Sequence, residues 1–118
     1  MTETGKSPVT RIVAGSARLA SAAMDWQATP DAGFYLKPLF RDEETGESSL
    51  LMKMDPGAHA PVHSHDRFEE IFVLEGDFHD AEHEYVAGDY VARAVGAEHE
   101  AGSRGGAVVL IIYRNQGR

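Results

Sequence analysis

The 118-residue sequence contains no cysteine, which removes several classes of site at once. Disulfides need paired cysteines, and most structural zinc and iron–sulfur centres take ligands from cysteine thiolates. Any metal in this chain must therefore be held by nitrogen and oxygen donors. The same absence fits a reducing compartment.

Positive charge is also scarce, since 11 Lys and Arg side chains stand against 19 Asp and Glu, for a formal net charge of -8. Binding to a nucleic-acid backbone depends on a basic surface that displaces counterions, so no nucleic-acid partner is expected. No apolar run approaches the roughly 20 residues that cross a bilayer, and the first residues have no secretory character. We therefore expect a cytoplasmic protein without a membrane partner.

The length predicts one domain. Residues 31–118 are expected to form a barrel, preceded by an N-terminal arm over residues 1–30. Within the arm a strand near Val9–Val13 is favoured. The small residues of Ala14–Met24 would fit a short helix, but Gly15 and the serines weaken that interpretation.

Short apolar segments separated by turn residues predict an all-β fold. Phe34–Phe40 and Ser48–Met54 flank the polar stretch 42–46 and are expected to form a hairpin. Further turns are predicted at four glycine-containing sites, namely 55–57, 75–77, 87–89 and 104–106. This spacing of strands and turns is typical of a barrel or a sandwich.

Four ligand-type residues stand at spacings that favour one metal site. His63 and His65 are two residues apart, so on a strand both side chains would leave the same face. Glu69 opens the apolar run Ile71–Leu74, a predicted neighbouring strand, and His99 can return from across a barrel. Three imidazoles and one carboxylate suit a single divalent iron, manganese, nickel, copper or zinc ion.

Neighbouring polar residues are given weaker roles. Glu70 should face away from Glu69 because successive strand residues alternate. His59 could point inward, but Pro61 interrupts the strand, which favours a position behind the ligands or on the surface.

His79 and His83 lie among acidic residues and are expected at a solvated hairpin edge rather than in a second metal site. Candidate pocket residues, each with a structural role preferred over a catalytic one, are His59, Tyr35, Phe78 and Arg93.

These ligand-type residues lie in two segments that resemble the two motifs of the cupin superfamily. The first segment matches at every fixed position and reads Gly57-x5-His63-x-His65-x3-Glu69-x6-Gly76. The second runs from Gly88 through Gly96 to His99, with Ala94 and Ser103 where the family has proline and asparagine. The resemblance implies a double-stranded β-helix that binds metal at His63, His65, Glu69 and His99. Neither departure falls on a ligand position.

Trp26, the Lys37-Pro38-Leu39 stretch and residues 42–46 extend the resemblance to the cupin domain of ChrR-type anti-sigma factors and to dioxygenase-like cupins. Two functions follow. A six-coordinate ion with four protein ligands keeps positions open, which favours a dioxygenase or carbon–carbon-cleaving enzyme acting on a small organic substrate. The metal would carry the chemistry, with Glu69 as ligand and proton acceptor.

The alternative is a non-catalytic sensor that binds metal or a small ligand. ChrR-type proteins bind their sigma factor through a separate zinc domain with cysteine and histidine ligands, which this sequence lacks. Direct inhibition of a sigma factor is therefore not expected. A purely structural metal is least favoured, because structural sites prefer closed coordination.

The last predicted strand, Ala107–Tyr113, is apolar on both faces, whereas a barrel strand with one face in water should alternate. The arm or the second sheet could cover its outer side, and so could a partner subunit. Since cupins often dimerise, we expect a homodimer buried partly through Val108–Ile112.

Overall fold

The computed structural model describes residues 7–115. Within that range the regular structure is β, apart from a 3-10 turn at Ser21–Ala23. The strands are β1 (Gln27–Ala28), β2 (Phe34–Arg41), β3 (Ser48–Met54), β4 (His59–His63), β5 (Phe68–His79), β6 (Glu84–Val86), β7 (Tyr90–Arg93), β8 (His99–Gly102) and β9 (Ala107–Arg114). They pair in the order β1-β2-β3-β9-β5-β8-β4 and curl into the predicted jelly-roll barrel.

Strand β5 belongs to both halves of the barrel. From Phe68 to Gly76 it pairs with β9, and on its other edge residues 69–72 pair with β7. Its last residues, 77–79, pair with β6, and His79 also pairs with Gly102 of β8. One half is therefore built on β2, β3 and β9, the other on β4 and β8, and β5 closes them round one interior.

Alternate side chains fill that interior. Burial alternates residue by residue along β3, and in β9 Val109 and Ile111 are fully buried while Val108, Leu110 and Ile112 are only half-buried. Burial of each large apolar side chain contributes about 1.5–3 kcal/mol. The core consists of Phe34, Leu36, Leu50, Met52, Met54, Ala58, Ala60, Ile71, Val73, Phe78, Ala101, Ala107, Val109 and Ile111.

The predicted hairpin is confirmed as β2 and β3, with its turn at 43–45, but the turn predicted at 75–77 is wrong. β5 passes straight through these residues, with a shift of register against β9 between Val73 and Glu75. Gly76 has a φ of +79°, and the carbonyl of Gly106 occupies the space that a β-carbon would need. The glycine therefore permits close approach of two strands rather than a reversal of the chain.

The N-terminal segment also differs from expectation. Val9 forms an isolated parallel bridge to Phe40 in place of the strand predicted at Val9–Val13, and β1 is a two-residue strand paired with β2. Of the predicted 1–30 arm, residues 1–6 lie outside the described range, as do residues 116–118. No helix within residues 7–115 is long and apolar enough to cross a membrane.

Candidate metal centre

Three histidines converge at one end of the barrel. One ring nitrogen from each of His63, His65 and His99 lies within 4.8 Å of the others. The ring centroids are 5.0 Å apart for His63 and His65, 4.4 Å for His63 and His99, and 5.5 Å for His65 and His99. Three imidazoles packed this closely are a donor set suited to a transition-metal ion.

The backbone brings the histidines together by a different route from the one predicted. β4 ends at His63, so His65 lies in the connection to β5 rather than on the same strand. His99 does not cross the barrel, because it is the direct cross-strand partner of His63 on the adjacent strand β8. Directly opposed residues of antiparallel strands share a face, which explains the short distance between these two rings.

Backbone carbonyls fix how the rings are presented. Nδ1 of His63 lies 2.8 Å from the carbonyl oxygen of Pro61. Since a carbonyl only accepts, Nδ1 carries a hydrogen, and in the neutral tautomer Nε2 has the lone pair for coordination. His99 makes a longer contact of the same kind, at 3.4 Å from the carbonyl of Ala97.

Burial keeps two of the rings neutral. It lowers the pKa of His65 from 6.5 to about 3 and that of His99 to about 4, and nearby positive groups add to both effects. A neutral imidazole is the form that binds metal. Both rings are therefore in the ligating form at neutral pH.

Glu69 enters the same space from the other half of the barrel. It lies on β5, where its backbone pairs with Tyr113 and Arg93, and its side chain is 4% exposed. Its carboxylate oxygens lie 3.6 Å from Nε2 of His65 and 3.5 Å from Nε2 of His99. Glu69 is thus adjacent to two of the histidines, although it falls outside the set whose donors all lie within 4.8 Å.

The Glu69 carboxylate is incompletely satisfied. Burial raises its pKa, while a hydrogen bond from Tyr113 and the charge of Arg93 act in the opposite direction. Its Oε1 is buried and accepts no hydrogen bond from the described residues, even though Nε of Arg93 is 3.5 Å away. A buried carboxylate with such an oxygen, whose Oε1 faces His99 and whose Oε2 faces His65, fits a bound cation.

Arg93 connects Glu69 to a second buried carboxylate. Its guanidinium lies 3.0 Å from Asp80, which also accepts hydrogen bonds from the Tyr85 hydroxyl and from backbone N–H groups in the turn after β5. Burial raises the pKa of Asp80, but these hydrogen bonds outweigh it and lower the pKa to about 2. Arg93 is therefore anchored by a carboxylate that is charged at neutral pH, and it is held beside the site.

Tyr113 is the neighbour that the sequence did not reveal. It sits near the end of β9, where the pattern indicated only an apolar strand, yet its ring lies 5.1 Å from that of His65. The cross-strand pair with Glu69 brings the two side chains onto one face. Only the register of β9 against β5 carries this information.

The remaining predicted residues lie elsewhere. Glu70 faces away from Glu69, as predicted, and accepts hydrogen bonds from Tyr90 and Arg114 on the outer surface. The side chain of His59 is half exposed and lies 3.5 Å from Glu100.

The hairpin histidines do not belong to the centre. His83 is exposed at the β5–β6 hairpin, as predicted, while His79 is half-buried against Gly102. The neighbouring Asp80 is buried, contrary to the expected solvated edge. Of the pocket candidates, Phe78 lines the interior near the histidines, whereas the Tyr35 hydroxyl donates to Asp55.

Of the spaces that adjoin the histidines, two also reach Tyr113. An inner cavity of about 20 Å³ is lined by the three histidines, Glu69, Phe78, Tyr113 and apolar core residues. That is room for about one water molecule or one ion. A larger cleft of about 260 Å³ shares His65 and Tyr113 with this cavity and is otherwise lined by Arg41, Gly46, Ser48, Leu50, Asp66 and Arg67.

Several solved structures share the fold. A cupin-like protein of unknown function from Ralstonia eutropha JMP134 is 22% identical, with a TM-score of 0.64 over 70% of this chain and 55% of that chain. A putative acetylacetone dioxygenase from Methylibium petroleiphilum PM1 is 16% identical, with a TM-score of 0.78 over 87% of this chain and 79% of that chain.

The anti-sigma factor ChrR from Rhodobacter sphaeroides, solved in complex with SigE, is 26% identical, with a TM-score of 0.65 over 78% of this chain. The chain spans about half the length of two of these proteins, 55% of the Ralstonia protein and 49% of ChrR. No curated protein matches the sequence significantly. A family model described as the ChrR cupin-like domain matches residues 14–117, so the chain belongs to that family.

Proposed function

We propose that this chain binds one divalent transition-metal ion through His63, His65, His99 and Glu69 and presents it to a small organic molecule. The observation that carries the proposal is the convergence of three imidazole nitrogens within 4.8 Å of one another, beside a buried carboxylate. Iron, manganese, nickel, copper and zinc all suit this donor set. Such an ion, when bound, supplies Lewis-acid or dioxygen chemistry.

The preferred activity is that of a metal-dependent dioxygenase or carbon–carbon-cleaving enzyme. The 20 Å³ inner cavity is too small for an organic substrate, whereas the 260 Å³ cleft reaches the same histidine, His65, from outside. Tyr113 donates a hydrogen bond to Glu69, so a carboxylate and a hydroxyl are available to hold a proton next to the site. The fold shared with a putative acetylacetone dioxygenase is compatible with this chemistry.

The family match favours a second candidate, a metal- or ligand-binding sensor. The chain belongs to the ChrR cupin-like family, and ChrR is an anti-sigma factor that was solved in complex with SigE. A sensor would bind metal and ligand at the same residues without turnover. The two candidates therefore differ in activity and not in the site.

Metal content and oxygen uptake distinguish these candidates. Elemental analysis of protein purified without added metal should find one transition-metal ion per chain, and oxygen consumption is then measured against small diketones, phenols and flavonol-like compounds. Uptake with iron, copper, nickel or manganese supports the enzyme, and bound zinc without turnover supports the sensor. Absence of metal, with no binding of added metal, contradicts both.

Glu69 and Glu70 form a matched pair for assigning the ligands. Glu69→Ala removes a buried carboxylate beside two histidines, whereas Glu70→Ala removes a surface carboxylate bonded to Tyr90 and Arg114. We expect Glu69→Ala to lose metal to a competing chelator far more readily than Glu70→Ala does. Equal losses would show that Glu69 is not a ligand.

A homodimer completes the proposal. Leu110 is half-buried on the outer face of β9, and its cross-strand neighbour Phe72 on β5 is 41% exposed. Tyr90 of β7 pairs with Phe72 in turn and is 54% exposed. These three side chains form an apolar outer surface that a second copy could cover.

A further inference from the structure

The cleft beside His65 is lined by two arginines and one aspartate, Asp66, and Arg41 also lies 3.6 Å from the exposed Glu43. Arg41 and Arg67 both line it, although the whole chain carries a formal charge of -8. Its floor is formed by buried Ser48 and Leu50. Guanidinium groups over a floor of this kind are suited to a small anion.

Arg67 is poorly neutralised by the protein. The acidic contact found for it among the described residues is with Asp66, at 3.6 Å, and the Asp66 side chain is 94% exposed. Exposed ion pairs of this length contribute little. Nε of Arg67 is moreover buried and donates to no acceptor in the described part of the chain. A buried donor without an acceptor is costly, which points to a ligand at this position.

A bulge in β2 directs the second arginine to the same place. Pro38 pairs with Leu50, but the register then shifts between Pro38 and Phe40, so that Arg41 pairs with Ser48. Cross-strand partners share a face, and Ser48 and Leu50 both point inward. The shift therefore turns Arg41 toward the mouth of the barrel, where an unbroken strand would have directed Phe40.

From these contacts we infer that the cleft binds the carboxylate of a small organic acid, with Arg67 as the main anchor and Arg41 as a second cation. The organic part of the ligand then points toward Tyr113 and His65, the two residues that the cleft shares with the inner cavity. The identification of this acid as the substrate or effector of the metal centre rests on the proposed function. Carboxylate binding itself does not.

Benzoate and benzamide test the inference, because they have nearly the same shape and differ in charge. Binding is measured by calorimetry and by amide NMR shifts on the full chain, both metal-free and loaded with zinc. In metal-free protein we expect benzoate to bind one per chain, at least about tenfold more tightly than benzamide. The shifts should centre on Gly46, Ser48 and Asp66.

Variants assign the anchor. Arg67→Gln should weaken benzoate binding by about tenfold or more, and Arg67→Lys should recover part of the loss because it restores the charge without the planar fork. Arg104→Gln is the control, since Arg104 is exposed, pairs with Glu84 and lies outside the cleft. The NMR spectrum reports whether each variant is folded, and Arg41→Gln replaces Arg67→Gln if the latter is not.

Equal affinity for benzoate and benzamide in metal-free protein, or shifts centred away from the cleft, would overturn the inference. Binding that requires zinc and is unchanged by Arg67→Gln would also overturn it, since the carboxylate would then bind the ion and not Arg67. The proposed metal function would survive that result. If the chain binds no metal but metal-free protein selects benzoate through Arg67, the metal proposal fails and the carboxylate site stands.

Discussion

Replacing Asp80 by asparagine should destabilise the barrel and release Arg93, which Asp80 holds. The Asp80 carboxylate accepts hydrogen bonds of 2.8–3.0 Å from two backbone N–H groups, the Tyr85 hydroxyl and the Arg93 guanidinium. Asparagine keeps the shape of the side chain but replaces one acceptor oxygen with an amide donor. That donor would face groups that are themselves donors.

The size of the effect follows from the pKa of Asp80. Burial raises it, but the hydrogen bonds prevail and lower it from 3.8 to about 2. This shift corresponds to roughly 2.5 kcal/mol of stability at neutral pH. Because the folded-state pKa lies below the unfolded-state value, the stabilisation is complete above about pH 5 and is lost as the pH falls toward 2, with about 1 kcal/mol gone by pH 3.

Urea unfolding of metal-free protein at pH 7 and pH 3 measures this contribution. The free energy of unfolding of the wild type should exceed that of Asp80→Asn by about 2–3 kcal/mol at pH 7. At pH 3 this difference should be smaller by about 1 kcal/mol. Protonation of the buried histidines affects both proteins equally and cancels in the difference. Asp66→Asn, at a side chain that is 94% exposed, should cost under about 0.5 kcal/mol. An Asp80→Asn deficit that is independent of pH would refute the assignment of a buried charged anchor.

Three further outcomes are expected. Gly76→Ala should lower the free energy of unfolding in urea by at least about 2 kcal/mol more than Gly88→Ala does. Both glycines have positive φ, but only Gly76 faces the Gly106 carbonyl. Equal losses would contradict a close strand approach. Chelation should lower the melting temperature by on the order of 10 °C if the free metal concentration before chelation is a hundred times its Kd. An unchanged melting temperature after confirmed metal loss would show that the ion adds no stability. Light scattering should show a dimer. Phe72→Ser should weaken it, whereas Val62→Ser, at a comparably exposed position on β4, should not. A monomeric wild type at high micromolar concentration would exclude the dimer.

Much of the fold was predictable because its determinants are local. Glycine-containing turns and short apolar segments mark the hairpin of β2 and β3, and the structure has both strands close to the predicted bounds. The turn predicted at 75–77 was wrong for an equally physical reason. A glycine signals a need for positive φ, and a strand that must pass close to a neighbouring carbonyl has the same need as a tight turn.

The sequence by itself determined the all-β barrel and the set of nitrogen and oxygen donors, because both depend on residue type and on short spacings along the chain. The tertiary structure alone decided that His99 lies opposite His63, that Tyr113 reaches Glu69 and that Arg93 links Glu69 to Asp80. It also decided, through the bulge in β2, that Arg41 faces the cleft. The contacts of His63 with His99 and of Glu69 with Tyr113 and Arg93 join residues far apart in sequence through strand register, and a shift of one residue would reverse which side chains face inward.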